Sequence, residues 1–177
     1  MNNFKIIAFT HKALELTELG KLHLEESNFE KNLLPLKEIP GMDEIMILST
    51  CNRVELLLSF NGTLSKEIFE KFLVKVYPSL SKNEVLNFIS KALIFEGEEA
   101  LMHFFNVASS LDSLVVGERE IITQVRNAYE LSKKNELSGD LIRLVIQKTI
   151  ECAKQVYTQT NIAKNPVSVV SLAYRKL

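Results

Sequence analysis

A chain of 177 residues with 46% hydrophobic and 24% charged side chains has the makeup of an ordinary globular protein, one domain or one domain with an appendage. A formal charge of −1 excludes a whole-molecule field that draws it to nucleic acid or membrane, so any RNA contact needs a local basic patch. No apolar run approaches the roughly 20 residues of a membrane span, no signal peptide is expected, and two cysteines without metal-like spacing suit a reducing compartment, with cytoplasm the expected location.

In chain order, Phe4 to Phe9 is a β-prone run ending at Thr10-His11, and a leucine-rich charged segment near 13–26 reads as a helix. Pro35, Pro40 and Gly41 mark a loop. Strands are expected near 43–49 and 53–60, joined as a hairpin. Ser65 is placed to cap a helix near 65–77 whose Ile68, Phe69, Phe72, Leu73 and Val76 share one face, and Pro78 stops it. A short helix holds Leu86 to Ile89, and Ala92 to Phe95 reads as a fourth strand. The order β-α-β-β-α-β predicts an α+β, ferredoxin-like sandwich. Beyond residue 98 the pattern is helical: an apolar stripe around Ala100 to Ala108 with His103 inside it, a helix starting near Glu118, and a long helix over about 140–160 that contains Cys152. Asn165-Pro166 opens one more helix. The expected organisation is a catalytic domain over 1–138, a long helix packed on it over 139–164, and the start of a linker helix over 165–177.

Ser49-Thr50-Cys51-Asn52-Arg53-Val54-Glu55 lies between two apolar runs, so Cys51 falls in the hairpin's tight connection. A thiol attacks as the thiolate, and a neighbouring cation favours that form. Arg53 can supply the cation, or clamp a carboxylate at two points. A lone turn cysteine also reads as a small apolar filler. His103, on an apolar helical face, reads as a satisfied core histidine or as a catalytic one. His11 ends a strand, His23 sits on a charged helix as a solvated residue, and Asp112-Ser113 reads as a cap or turn pair.

Two long motifs move that balance. Ser49 to Glu55, and Ala108-Ser109-Ser110-Leu111-Asp112-Ser113-Leu114-Val115-Val116-Gly117-Glu118 continuing to Gln124-Val125, resemble glutamyl-tRNA reductase, with weaker agreement at Phe9 to Lys12 and Asn165 to Ala173. The resemblance implies that the Cys51 thiolate attacks the ester joining glutamate to its tRNA, and that hydride from NADPH reduces the resulting thioester to glutamate-1-semialdehyde for tetrapyrrole synthesis. Covalent capture divides one hard reduction into two easier steps. His103 matches a histidine important for activity. Thr50, Asn52 and Arg53 match substrate-binding positions, with Asn52 and the turn's N–H groups facing the oxyanion and Arg53 a glutamyl carboxylate. Ser113, Glu118, Arg119, Glu120 and Gln124 match further substrate contacts. Arg119 and Glu120 depart from the family's common Pro and Gln, and Leu14 stands where Pro is frequent.

The resemblance also implies an NADPH-binding domain and a dimerisation domain after this region, a homodimer, and an aminomutase as partner for the product. No Gly-x-Gly-x-x-Gly occurs among the chain's 6 glycines, so the chain itself is expected to hold no NADPH and no metal. Two other readings stand beside this one. The first is an RNA-binding module using exposed strand aromatics such as Phe4, Phe9, Phe60 and Phe95. The second is an unrelated cysteine hydrolase with His11, His23 or His103 as base.

Overall fold

The computed structural model describes residues 3–113, 117 and 120–162. Four strands form one antiparallel sheet: β1 (Phe4–Thr10), β2 (Met42–Ser49), β3 (Arg53–Phe60) and β4 (Leu93–Glu96), in the order β2-β3-β1-β4. The central strands β1 and β3 run in full register from Phe4↔Ser59 to Thr10↔Arg53. Both are buried along their whole length, the burial of a sheet covered on both faces.

Side chains alternate across the pleat and build two separate cores. Ile7, Phe9, Ile45, Ile47, Val54, Leu56, Leu58 and Phe60 face helices α1 (Leu16–Gly20), α2 (Glu26–Leu33), α3 (Lys66–Val76) and α4 (Lys82–Lys91). Phe4, Ile6, Ala8, Met46, Leu48 and Leu57 face α5 (Gly97–Ala108), α6 (Glu120–Lys134) and α7 (Asp140–Gln159). The molecule is therefore three layers, with the C-terminal helices forming the third. Phe4, Phe9 and Phe60 are at most 1% exposed, so they offer no open sheet face for stacking RNA bases, against that sequence-based alternative.

Most expected elements lie within two residues of their observed bounds. The leucine-rich segment differs: α1 covers only Leu16–Gly20, and a new helix, α2, starts at Glu26 and runs into a 3-10 turn over Leu34–Glu38. Glu15 and Glu18 form a capping box at α1, and Ser81 with Glu84 forms another at α4. Ser65 caps α3 by accepting from the Ile68 N–H. The helix expected from Asn165 lies outside the described residues.

Edge strand β2 is sealed rather than open. Ile45 N–H donates to the Leu137 carbonyl at 2.7 Å, and Ser132 Oγ donates to the Ile45 carbonyl at 2.5 Å. The Glu44 carboxylate accepts from the N–H groups of Gly139, Leu141 and Ile142 at 2.8–3.0 Å, anchoring the positive end of α7 to the sheet. α7 packs on α5, α6, β2 and β3.

Candidate active site

The polar interruptions gather at one end of the sheet. Thr50 N–H donates to the Arg53 carbonyl at 2.9 Å, which closes a turn with Cys51 and Asn52 at its tip. Thr50 Oγ1 donates to Asn52 Oδ1 at 2.9 Å and stiffens that turn from within. His11 N–H, just past β1, donates to the Asn52 carbonyl at 3.0 Å and buttresses it from the neighbouring strand. Cys51 itself is exposed, and its thiol is not in a disulfide.

Beneath the tip runs a buried chain of charges. Arg53 is 1% and Glu55 0% exposed, on the β3 face that looks toward α5. Arg53 Nη1 donates to Glu55 Oε1 at 2.7 Å, and the same oxygen lies 3.0 Å from His103 Nε2. Phe95 of β4 stacks on the His103 ring, centroids 4.1 Å apart and planes 11° apart. Arg53 Nη2 reaches Asp112, both its carbonyl and its Oδ2. Lys12 Nζ meets the other Asp112 carboxylate oxygen. Burial pushes the Asp112 carboxyl up, but the Lys12 and Arg53 cations outweigh it and leave the group below its ordinary value.

The loop that carries Asp112 is aimed by the way α5 ends. Ser110 adopts φ 57°, Leu111 N–H bonds the Asn106 carbonyl at 2.9 Å and Ser110 N–H the Val107 carbonyl at 3.0 Å. This is a Schellman stop with serine in the left-handed position usually held by glycine. Gly117, at φ +90°, closes the loop where a Cβ would meet the Ile162 carbonyl oxygen at 2.4 Å, so the close approach to the end of α7 requires glycine.

On the other side of the turn, a cleft of about 360 Å³ is lined by His23, Phe29, Ser49, Gln124 and Asn127 among others. His23, exposed as its sequence setting suggests, places Nδ1 3.1 Å from Ser49 Oγ and is so tied to the residue two before the thiol. A broader groove of about 1020 Å³ runs from His11 and Lys12 to Glu18 and Lys91.

The structure thus gathers Thr50, Asn52, Arg53 and His103 into one network that Asp112, next to the half-buried Ser113, completes; Gln124 sits across β2 in the cleft. Glu120 is exposed at the start of α6, while Glu118 and Arg119 lie outside the described residues. The Arg53 guanidinium, 1% exposed, is paired with Glu55 and with Asp112 in this structure and anchors the turn. Sequence reasoning missed Glu55, Lys12 and the binding of Asp112 to both cations. The available signal was Glu55 itself, a single charge in the strand run Val54 to Leu58, which burial on both faces obliges to find a partner. Among the described residues, no group of three His, Cys, Asp or Glu side chains could hold a metal ion, and no helix is long and apolar enough to cross a membrane.

An exposed turn thiol over a buried Arg-Glu-His chain, in an α+β domain, defines a candidate acyl-transfer site. The model for the N-terminal domain of glutamyl-tRNA(Glu) reductase matches residues 7–160. A glutamyl-tRNA reductase from Campylobacter hominis is 36% identical over 175 residues, covering 97% of this chain and 39% of that protein. One from Ruthia magnifica is 34% identical over 175 residues, covering 99% of this chain and 41% of that protein. The solved structure of glutamyl-tRNA reductase from Methanopyrus kandleri superposes with a TM-score of 0.74 at 28% identity, covering 100% of this chain and 41% of that one. The chain belongs to the glutamyl-tRNA reductase family and corresponds to its N-terminal domain. It spans about two fifths of the length of the relatives it matches.

Proposed function

We propose that this chain is the acyl-accepting part of a glutamyl-tRNA reductase, working in tetrapyrrole synthesis in the cytoplasm. The Cys51 thiolate adds to the ester carbonyl of glutamyl-tRNA. The carbon–oxygen bond to the terminal ribose breaks, the ribose oxygen takes a proton and leaves with the tRNA, and a glutamyl thioester remains on Cys51. The exposed thiol at the tip of a turn held rigidly from below is the observation that carries this reading. Asn52, half-buried beside it, and the turn's N–H groups supply hydrogen bonds to the developing oxyanion. Thr50 sets the turn, His103 exchanges the proton, and Ser113, Glu118, Arg119, Glu120 and Gln124 contact the substrate. For Arg53 to take a substrate carboxylate, that carboxylate must replace Asp112.

The finer fold reading is a ferredoxin-like split βαβ unit over roughly 1–96, supported by the antiparallel order β2-β3-β1-β4. The domain reading remains catalytic domain 1–138, long helix 139–164 and linker start 165–177. Reduction to glutamate-1-semialdehyde needs NADPH. The residues of this chain do not fit that group: the described sheet is antiparallel, with no parallel βαβ unit, and no Gly-x-Gly-x-x-Gly occurs. We therefore assign NADPH to sequence outside this chain, and place the homodimer contacts and the aminomutase partner with the whole enzyme.

The test is to incubate the 177-residue chain with glutamyl-tRNA. The expected result is slow release of glutamate and free tRNA, as water hydrolyses the thioester, and no semialdehyde when NADPH is added. An intact ester contradicts the proposal, and aldehyde formation contradicts the assignment of NADPH elsewhere.

A further inference from the structure

We propose that Glu55 is a positioning residue for this reaction, holding His103 through Nε2 so that Nδ1 is the nitrogen left free to exchange a proton with the reacting groups. The inference rests on the reading of Cys51 as acyl acceptor and of His103 as its proton-transfer partner.

The argument begins with the position. Glu55 lies on the β3 face whose next member is Leu57, in a strand otherwise suited to an apolar side chain. A buried carboxylate contributes little net stability even when paired, and an apolar residue of similar volume is often as stable. Glu55 moreover leaves Oε2 buried with no partner, a cost that a purely structural ion pair has no reason to carry.

Its other oxygen shows what the carboxylate does. Oε1 lies 2.7 Å from Arg53 Nη1 and 3.0 Å from His103 Nε2. A carboxylate facing a guanidinium is an acceptor, so the proton in the contact with His103 is inferred to sit on Nε2. The stacked Phe95 ring fixes the imidazole plane. With Nε2 engaged and one ring face covered, Nδ1 is the remaining nitrogen. Arg53 ties the arrangement to the catalytic turn, because its carbonyl accepts the Thr50 N–H one residue from Cys51. The turn, Arg53, Glu55 and His103 thus form one connected unit, in which Glu55 acts through His103 and touches no substrate.

The experiment is a double-variant cycle on glutamyl-tRNA deacylation by the 177-residue chain, with an imidazole ¹⁵N spectrum beside it. Glu55→Gln is expected to lower kcat by about 10- to 100-fold with KM little changed, the range for residues that orient a working imidazole. In a His103→Asn background the same substitution should cost less than about twofold, since its route is already removed. The chain has 3 histidines, so the His103 signals can be assigned by single replacement; they should report Nε2–H in the unmodified protein. Equal losses of kcat in the two backgrounds, a fall in melting temperature with kcat unchanged, or an Nδ1–H tautomer in the unmodified chain would each overturn the proposal. The tautomer decides the matter even if Glu55→Gln does not fold. A Cys51→Ser chain that still deacylates the substrate would sink the reading of Cys51 instead, and would leave the tautomer result standing.

Discussion

The two faces of this sheet are built from the same strands and do different work. Toward α1–α4 the inner face is apolar over its centre, with Phe9 in aromatic contact with both Phe69 and Phe88 and Phe60 edge-on to Phe72, and the buried Lys5 is paired with Glu96 at 2.9 Å. Toward α5–α7 it is apolar only as far as Ala8, Leu48 and Leu57, and then gives way to Arg53, Glu55 and His103. The first face stabilises the fold mainly by burying apolar side chains. The second gives up part of that burial for a charged network below an exposed thiol. The candidate site lies at the end of the sheet where this face turns polar beneath the turn.

Substitutions on the two faces should separate accordingly. The largest effect expected is on the thiol: Cys51→Ser should lower glutamyl-tRNA deacylation by about 1,000-fold or more, as loss of a covalent nucleophile does, with an unchanged melting curve. Next is Arg53→Met, which leaves the Glu55 carboxylate buried without its guanidinium. It should cost about 3–5 kcal/mol in denaturant unfolding and also impair deacylation. Phe72→Ala, on the apolar face, should cost a similar 3–5 kcal/mol or so through lost transfer energy and a cavity, while the rate per folded molecule stays the same. If Phe72→Ala slows the chemistry as much as Arg53→Met does, the division between the faces is wrong.

Smaller effects follow from the surface-linked carboxylates. Asp112→Asn should destabilise by about 1–3 kcal/mol at neutral pH through its lost contacts with Lys12 and Arg53. Because the folded-state Asp112 value lies below the ordinary one, its contribution is complete above that ordinary value and is lost as pH falls through the folded one. Thermal melts of the two proteins should therefore converge in acid. The smallest effect is at Glu18, held at about 2 by the Glu15 N–H, Lys91 and Asn87. Its contribution should persist above its ordinary 4.5 and drain away as pH falls toward about 2, and Glu18→Gln should flatten that part of the acid melting profile.

Much of the architecture was legible because periodicity is local. The β3 run, the Ser65 cap and the stripe of α7 each follow from spacing within a few residues. The helices of the third layer were legible, but not that they cover the second face of the sheet, which depends on long-range contacts such as Glu44 with the start of α7. At the site, Cys51 could be read from its turn and its motif. The fate of Arg53 could not, because a cation two residues after a thiol has the same sequence whether it faces the cleft or the interior. Here the pleat decides: Arg53 shares a face with Glu55, His103 meets Glu55 across 48 residues and Asp112 meets Arg53 across 59, and these contacts form only once the sheet is folded. His23 is exposed, as its sequence setting suggests, but its place between α1 and α2 and its reach to Ser49 at 3.1 Å across the fold could not be read.

The central claim is that Cys51 accepts the glutamyl group. The most direct measurement is intact-mass analysis of the chain after acid quenching during reaction with glutamyl-tRNA, followed by peptide mapping. The account predicts a mass increase of one glutamyl residue, located on the peptide containing Cys51 and released by hydroxylamine. An unmodified Cys51 while glutamate is being released, or an adduct on Cys152, would contradict it.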